Sequence, residues 1–449
     1  MTPGTHDAAL SAARHAQDGE PRVGTNMRVL DKPPRHRHAT RALTAMLLAA
    51  ASVLLVASPA AADPIRDQEY WLDDYGIREA WNTTRGEGIT IAVIDTGIDS
   101  SVAELSGAVT GGADFSGLGA ANGQEPVGST GNWHGTMVAS LAAGRGTGGD
   151  SGVIGSAPGA NILSLSIGFG EGTTSSSDQI ANAVRWAVDN GADIINMSLT
   201  NNTIDWPESW DDAFLYAMEN DVVVVAAAGN RGSGTTQVSA PATMPGVLTV
   251  AGVDRNGNAS FNSSSQGITI GVAAPSEDLV GVAPGGNYRI WQGTSGATPI
   301  VSGVVALVMA AHPELDAANV INRIVTTATD VGDPGSDPIY GFGLVDAAAA
   351  VNANVPLVDE NPMGDLAEWI TIYRRAESTA TPTPWPTAIP TVEPLPHALP
   401  SGPLGTLMPT VNDLRNVGIP LGVVLLFSSV FVVLVVRGIQ RFKALRQTE

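Results

Sequence analysis

Three short motifs carry side chains whose types suit acid–base and nucleophilic chemistry. The first is Ile94-Asp95-Thr96-Gly97-Ile98-Asp99, which closes an apolar run. A carboxylate at the carboxyl end of such a strand lies on the sheet edge where α/β active sites form. The second is Asn132-Trp133-His134-Gly135-Thr136-Met137-Val138-Ala139. A histidine at a helix start, solvated on one side and packed on the other, suits a general base. Only His134 and His312 fall in the stretch that reads as globular, and His312 precedes Pro313 at a helix end, where a surface cap is the expected role. The third motif is Gly293-Thr294-Ser295-Gly296-Ala297-Thr298-Pro299, which opens a long apolar run. Glycine permits a tight turn there, and proline is tolerated in a first helical turn. The helix N-terminus favours negative charge developing beside the Ser295 hydroxyl. Taken singly, Asp95 reads as an ordinary strand-end acid and Gly-Thr-Ser as a loop; the three together point to chemistry.

The elements that must hold these residues are legible as continuous apolar runs. Residues 89–94, 161–165, 193–197 and 222–226 read as strands buried on both faces of a parallel sheet. Between them, Ile180, Ala183, Val184 and Ala187 repeat at helical spacing and predict a helix over 177–190. Strands alternating with helices give an α/β fold of three layers around a mostly parallel central sheet.

That domain is expected over 63–356 of the 449 residues, and the flanks read differently. Residues 1–62 combine Arg35-His36-Arg37-His38 and Arg41, an apolar run over 42–56 and Ala60-Ala61-Ala62, the pattern of a secretory signal with a long n-region cut after Ala62. An uncleaved anchor is the other reading of this stretch, and Met27 is a second candidate start. Residues 357–416 are expected to be a Pro/Thr-rich linker, favouring extended polyproline II in places such as Thr381-Pro382-Thr383-Pro384. Residues 417–436 are almost wholly apolar, long enough for one transmembrane helix. Arg437, Arg441, Lys443 and Arg446 follow, so 437–449 reads as a short cytoplasmic tail and the domain as extracellular, at the cell membrane. The net charge of -21 excludes nucleic acid as a partner, and the absence of cysteine excludes disulfides and a thiol nucleophile.

The order Asp, His, Ser, with Gly88-Ile89-Thr90 upstream and Tyr340-Gly341-Phe342-Gly343-Leu344-Val345-Asp346 downstream, resembles the subtilisin-like serine proteases, peptidase S8. The resemblance implies a serine endopeptidase with protein or peptide substrates. It implies that Ser295 attacks the scissile carbonyl, His134 moves the proton, and Asp95 orients and stabilises the imidazole. Val225-Ala226-Ala227-Ala228-Gly229-Asn230 is similar to the strand end whose asparagine donates to the oxyanion. It further implies substrate contacts at Gly168, at Ser198, Leu199 and Thr200, and at Gly229, by pairing of an extended peptide. Thr200, Gly296 and Ser276 depart from the residues common in the family, and Thr200 implies a narrower primary pocket.

A signal peptide, a Pro-rich spacer and a basic-tailed anchor resemble the layout of the mycosins, proteases associated with type VII secretion, as does Asp67-Gln68-Glu69-Tyr70-Trp71-Leu72 at the domain entry. This implies secretion-complex subunits as partners. The alternative from another class is a structural partner of such a complex, its protease site silent or dispensable. The chemistry needs no cofactor. Calcium is common in the family, but Gly148-Gly149-Asp150-Ser151 offers one carboxylate, too few for a cage, and no metal site is identified.

Overall fold

The four runs expected as strands fold as such in a computed structural model that describes residues 63–374. Seven strands, β1 (Thr90–Asp95), β2 (Val109–Asp114), β3 (Asn161–Ser166), β4 (Ile194–Met197), β5 (Val223–Ala227), β6 (Leu248–Val253) and β7 (Ile270–Pro275), form one sheet. Their order is β2-β3-β1-β4-β5-β6-β7, and every pair is parallel. An antiparallel hairpin, β8 (Leu279–Ala283) with β9 (Asn287–Trp291), stands apart. The sheet continues to either side of β1, so Asp95 ends the strand where α/β folds open a crevice. Each of the four strands expected from sequence lies within one residue of its observed span. β2 escaped the apolar-run criterion because Gly111 and Gly112 interrupt it and its residues are only half-buried.

The helices of six residues or more among the described residues are α1 (His134–Ala143), α2 (Ser176–Asp189), α3 (Glu208–Glu219), α4 (Thr294–Ala311), α5 (Ala317–Thr326), α6 (Ala347–Asn352) and α7 (Leu366–Tyr373). α1 and α4 pack on each other and on the sheet as one layer, and α2 and α3 form the other. Side-chain caps start several of them: Ser175 accepts from the Asp178 N–H, Asp316 from Asn319 and Asp365 from Glu368. Although α4 is apolar enough to cross a bilayer, it runs through the centre of the domain, buried from Gly296 to Val308. Pro299 lies in its second turn, not its first as expected, and the consequence falls on Ser295, whose carbonyl loses its helical partner.

Residues 357–374 correct the expected start of the linker. α7 packs on α3, with Trp369 over Trp206 at 4.3 Å between ring centroids. Arg374 beyond it pairs with Asp211 at 2.9 Å. Prolines become dense only further on, so the domain extends at least to Arg374. The expected signal peptide, transmembrane helix, cytoplasmic tail and the rest of the linker lie outside the described residues.

Candidate active site

Asp95 is fully buried at the end of β1, and its carboxylate is held from two directions. The Thr96 N–H donates to Oδ1 at 2.7 Å, and His134 Nδ1 lies 2.9 Å from both Oδ1 and Oδ2. An ionised carboxylate only accepts, so Nδ1 carries the proton and Nε2 keeps its lone pair for a substrate-side proton. The two motifs interlock through backbone. The Gly135 N–H donates to Thr96 Oγ1 at 3.0 Å, and the Asp99 N–H donates to Thr136 Oγ1 at 3.0 Å. A Cβ on Gly135 would stand 2.4 Å from the Gly97 carbonyl oxygen, so only glycine lets α1 approach β1 closely enough for the His–Asp bond.

The His134 side chain is 21% exposed. Burial by itself pushes its pKa down, but the charge of Asp95 and the hydrogen bond to it together prevail, holding the imidazole above the ordinary histidine range. Trp291 of β9 meets the ring edge to face at 5.6 Å, and Trp133 lies 5.9 Å away.

Ser295 sits in the first turn of α4, where its own N–H has no helical acceptor. Its hydroxyl donates to the Ser198 carbonyl at 3.1 Å, and its carbonyl, freed by Pro299, accepts from the Ser198 hydroxyl at 2.9 Å. A buried chain continues from there. The Asn196 amide donates to Ser198 Oγ at 3.1 Å, and the Ser302 hydroxyl donates to Asn196 Oδ1 at 2.9 Å. No hydrogen bond joins Ser295 to His134 among the described residues. The hydroxyl is turned toward β4 instead.

Asn230 follows β5, and its amide is fixed by Thr294. The Thr294 N–H donates to Oδ1 at 2.8 Å and the Thr294 hydroxyl lies 3.0 Å from the same atom. A backbone N–H can only donate, so Oδ1 faces Thr294 and the NH2 group is left for another acceptor. Gly229 spends both backbone groups internally, its N–H on Thr294 Oγ1 at 3.2 Å and its carbonyl on the Ser265 N–H at 2.7 Å. Its φ of 103° and a 2.5 Å approach of Thr235 to any Cβ make it a positioning glycine rather than a substrate contact.

The other expected substrate contacts divide. Ser198, Leu199 and Thr200 line a cleft of 290 Å³ together with Trp133, His134 and Phe169. The backbone N–H and carbonyl of Thr200 make no hydrogen bond among the described residues, which leaves an edge for an extended peptide. Gly168 is corrected: it is buried, its N–H donates to Gln179 Oε1 at 2.7 Å, and its carbonyl accepts from Ser176 Oγ at 2.8 Å. The free edge falls one residue later, at Phe169, which is 47% exposed. Trp291 was missed because nothing in Arg289-Ile290-Trp291 marks a hairpin that folds back on His134.

Known proteins resemble this chain in sequence and in fold. The sequence profile of peptidase S8, the subtilase family, matches residues 86–343. Subtilisin DY of Bacillus licheniformis is 37% identical over 274 residues, 59% of this chain and 92% of the relative. The crystal structure of MycP1 from Mycobacterium smegmatis superposes with a TM-score of 0.55 at 30% identity, covering 64% of this chain and 85% of that one. The MycP3 protease of the type VII (ESX-3) secretion system does so with a TM-score of 0.54 at 31% identity, covering 64% and 88%. With its parallel sheet, its motifs and these likenesses, the chain belongs to the subtilase family of serine endopeptidases.

Proposed function

We propose that Asp95, His134 and Ser295 form the catalytic triad and that the chain cleaves peptide bonds through an acyl-enzyme. The Asp95–His134 bond, with Nε2 left basic, is the observation that carries this reading. Ser295 Oγ attacks the carbonyl carbon while its proton passes to Nε2, and Asp95 stabilises the imidazolium that forms. The tetrahedral oxyanion accepts from the Asn230 NH2 group and the Ser295 N–H. On collapse the C–N bond breaks, Nε2 returns the proton to the leaving amine, and water then hydrolyses the ester by the same steps. A peptide strand whose N–H takes the Ser198 carbonyl competes with the Ser295 hydroxyl for that acceptor, and so turns the hydroxyl toward His134.

The setting belongs to the same proposal: an enzyme on the outer face of a cell membrane, anchored by 417–436 and working with type VII secretion subunits. Support comes from the apolar run with its basic flank and from the likeness to proteases of type VII systems. A scaffold with a silent site is the rival, and it has no physical use for an oriented histidine and a fixed Asn230 amide.

The test is labelling of the full chain in detergent by a fluorophosphonate, beside Ser295→Ala. Labelling of the parent alone supports an activated serine; no labelling of folded protein moves the scaffold reading to the front.

A further inference from the structure

Positive charge is scarce in this domain. Residues 63–374 contain no lysine, so arginine carries all the fixed positive charge there. Four of those arginines, Arg66, Arg78, Arg85 and Arg145, line one cavity of 510 Å³, which shares no residue with the cleft beside His134. In so acidic a chain this gathering is a local reversal of the field.

The cavity is built rather than merely lined. Arg66, 8% exposed, forms its floor and cannot swing away. Its Nη2 donates to the carbonyls of Ser151 at 3.0 Å and Gly152 at 2.9 Å, and its Nε lies 2.8 Å from Glu69 Oε2. The wall is the Trp81 ring, fixed by its Nε1–H donating to the Ser156 carbonyl at 2.8 Å. The Arg85 guanidinium carbon lies 4.6 Å from the centroid of that ring and the Arg78 one 5.8 Å, so both charges are held beside Trp81 by cation–π attraction before any ligand arrives. Arg78 pairs with Asp73 at 3.0 Å, whereas the guanidinium groups of Arg85 and Arg145 have no carboxylate within 4.0 Å among the described residues, Glu87 meeting Arg85 only at its backbone N–H. At the rim Asp150, 97% exposed, reaches only to 4.0 Å from Arg66 Nη1.

We infer that this cavity is a docking site for a carboxylate-rich peptide segment of a partner protein, away from the catalytic cleft. Planar guanidinium forks match carboxylates bidentately, and the contact of Arg85 and Arg78 with Trp81 restrains them near the cavity. Trp81, Ile154 and Pro158 give the apolar wall that a peptide backbone and side-chain stems need and that a free inorganic anion does not. Asp150 acts as a weak internal competitor, holding the place a ligand carboxylate takes.

The test uses the full chain carrying Ser295→Ala in detergent and fluorescence anisotropy of a labelled ten-residue Asp/Glu/Gly peptide, with its Asn/Gln/Gly counterpart as control. The acidic peptide should bind, weaken with added salt, and lose about tenfold or more in affinity, some 1.4 kcal/mol, in R85Q/R145Q. Both replaced side chains are exposed, so an unchanged melting temperature checks the fold. D150N should tighten binding, an effect that mere loss of structure cannot produce. Equal binding of the neutral peptide, indifference to R85Q/R145Q, or inorganic phosphate binding while the peptide does not, would each overturn the inference. So would concentration-dependent dimerisation abolished by R85Q/R145Q, which would assign the cavity to a second copy of the chain.

Discussion

Thr294 holds Asn230 by two hydrogen bonds to one oxygen, and this single clasp decides which way the Asn230 amide faces. The clasping residue immediately precedes Ser295, so the proposed nucleophile and its proposed oxyanion donor are set by the same turn of α4.

Removal of the donor and removal of the clasp should therefore differ in size. Asn230→Ala should lower kcat by about 10²–10³ with little change in KM, the loss seen when the corresponding donor is removed from subtilisin. Thr294→Val keeps the backbone bond to Asn230 but loses the hydroxyl and with it the acceptor of the buried Gly229 N–H, so stability should fall by about 1–3 kcal/mol while kcat falls by about tenfold or less. Steady-state cleavage of a chromogenic peptide reads both. Equal losses would mean that the clasp, not the donor, carries the effect.

The pH profile reports the His134–Asp95 pair. In the proposed mechanism only neutral His134 can take the Ser295 proton, and its pKa is raised because Asp95 outweighs burial. Activity should therefore rise with pH along a limb centred above the ordinary histidine value of 6.5. Asp95→Asn removes the charge that raises it, so the limb should move to lower pH while kcat falls by about 10⁴. A limb that stays in place in the variant would detach the acid limb from this pair.

Much of this site was legible because each motif is contiguous and its neighbours are dictated by close backbone approach. Gly135 must be small for α1 to reach Gly97, and Gly229 must be glycine at its φ, so sequence and geometry coincide there. The misses are long-range. Gly168 looked like a free edge, but the Gln179 and Ser176 side chains that consume its backbone come from a helix and its N-terminus, which no local pattern could aim. α7 was hidden by the proline-rich sequence after it, although Asp365 capping the Glu368 N–H was a readable start signal. The hairpin bearing Trp291 has five exposed or half-buried residues in β9 and no alternation to betray it.

Glu69 makes stability depend on pH. Burial pushes its carboxyl up to about 8, against the Ile154 N–H and the Arg66 charge that pull it down. The folded state therefore keeps a proton that the unfolded chain releases near its ordinary 4.5. Its contribution is full below about pH 4.5 and is lost as pH rises toward about 8. In Glu69→Gln the amide stays neutral throughout, so the difference in melting temperature between pH 5 and pH 8 should shrink by several degrees. An unchanged difference would place the titration elsewhere.

Gly296, beside the proposed nucleophile, is expected to resist the larger apolar residues common at that position in the family. A Cβ there would stand 2.3 Å from Leu279 Cδ1 and 3.3 Å from the Trp291 ring, because the β8–β9 hairpin fills the space. Gly296→Met must push that hairpin off α4, and Trp291 on β9 is the ring that packs against His134. The cost should be about 1–3 kcal/mol of stability, as for an overpacked core, with a fall in kcat from the displaced histidine. Leu279→Ala added to Gly296→Met vacates the nearest contact and should recover part of both losses. Differential scanning calorimetry and peptide cleavage on the four proteins of this cycle give the coupling directly. Strict additivity would mean that Leu279 does not set the space beside Ser295, and that the Trp291 ring is what excludes a side chain there.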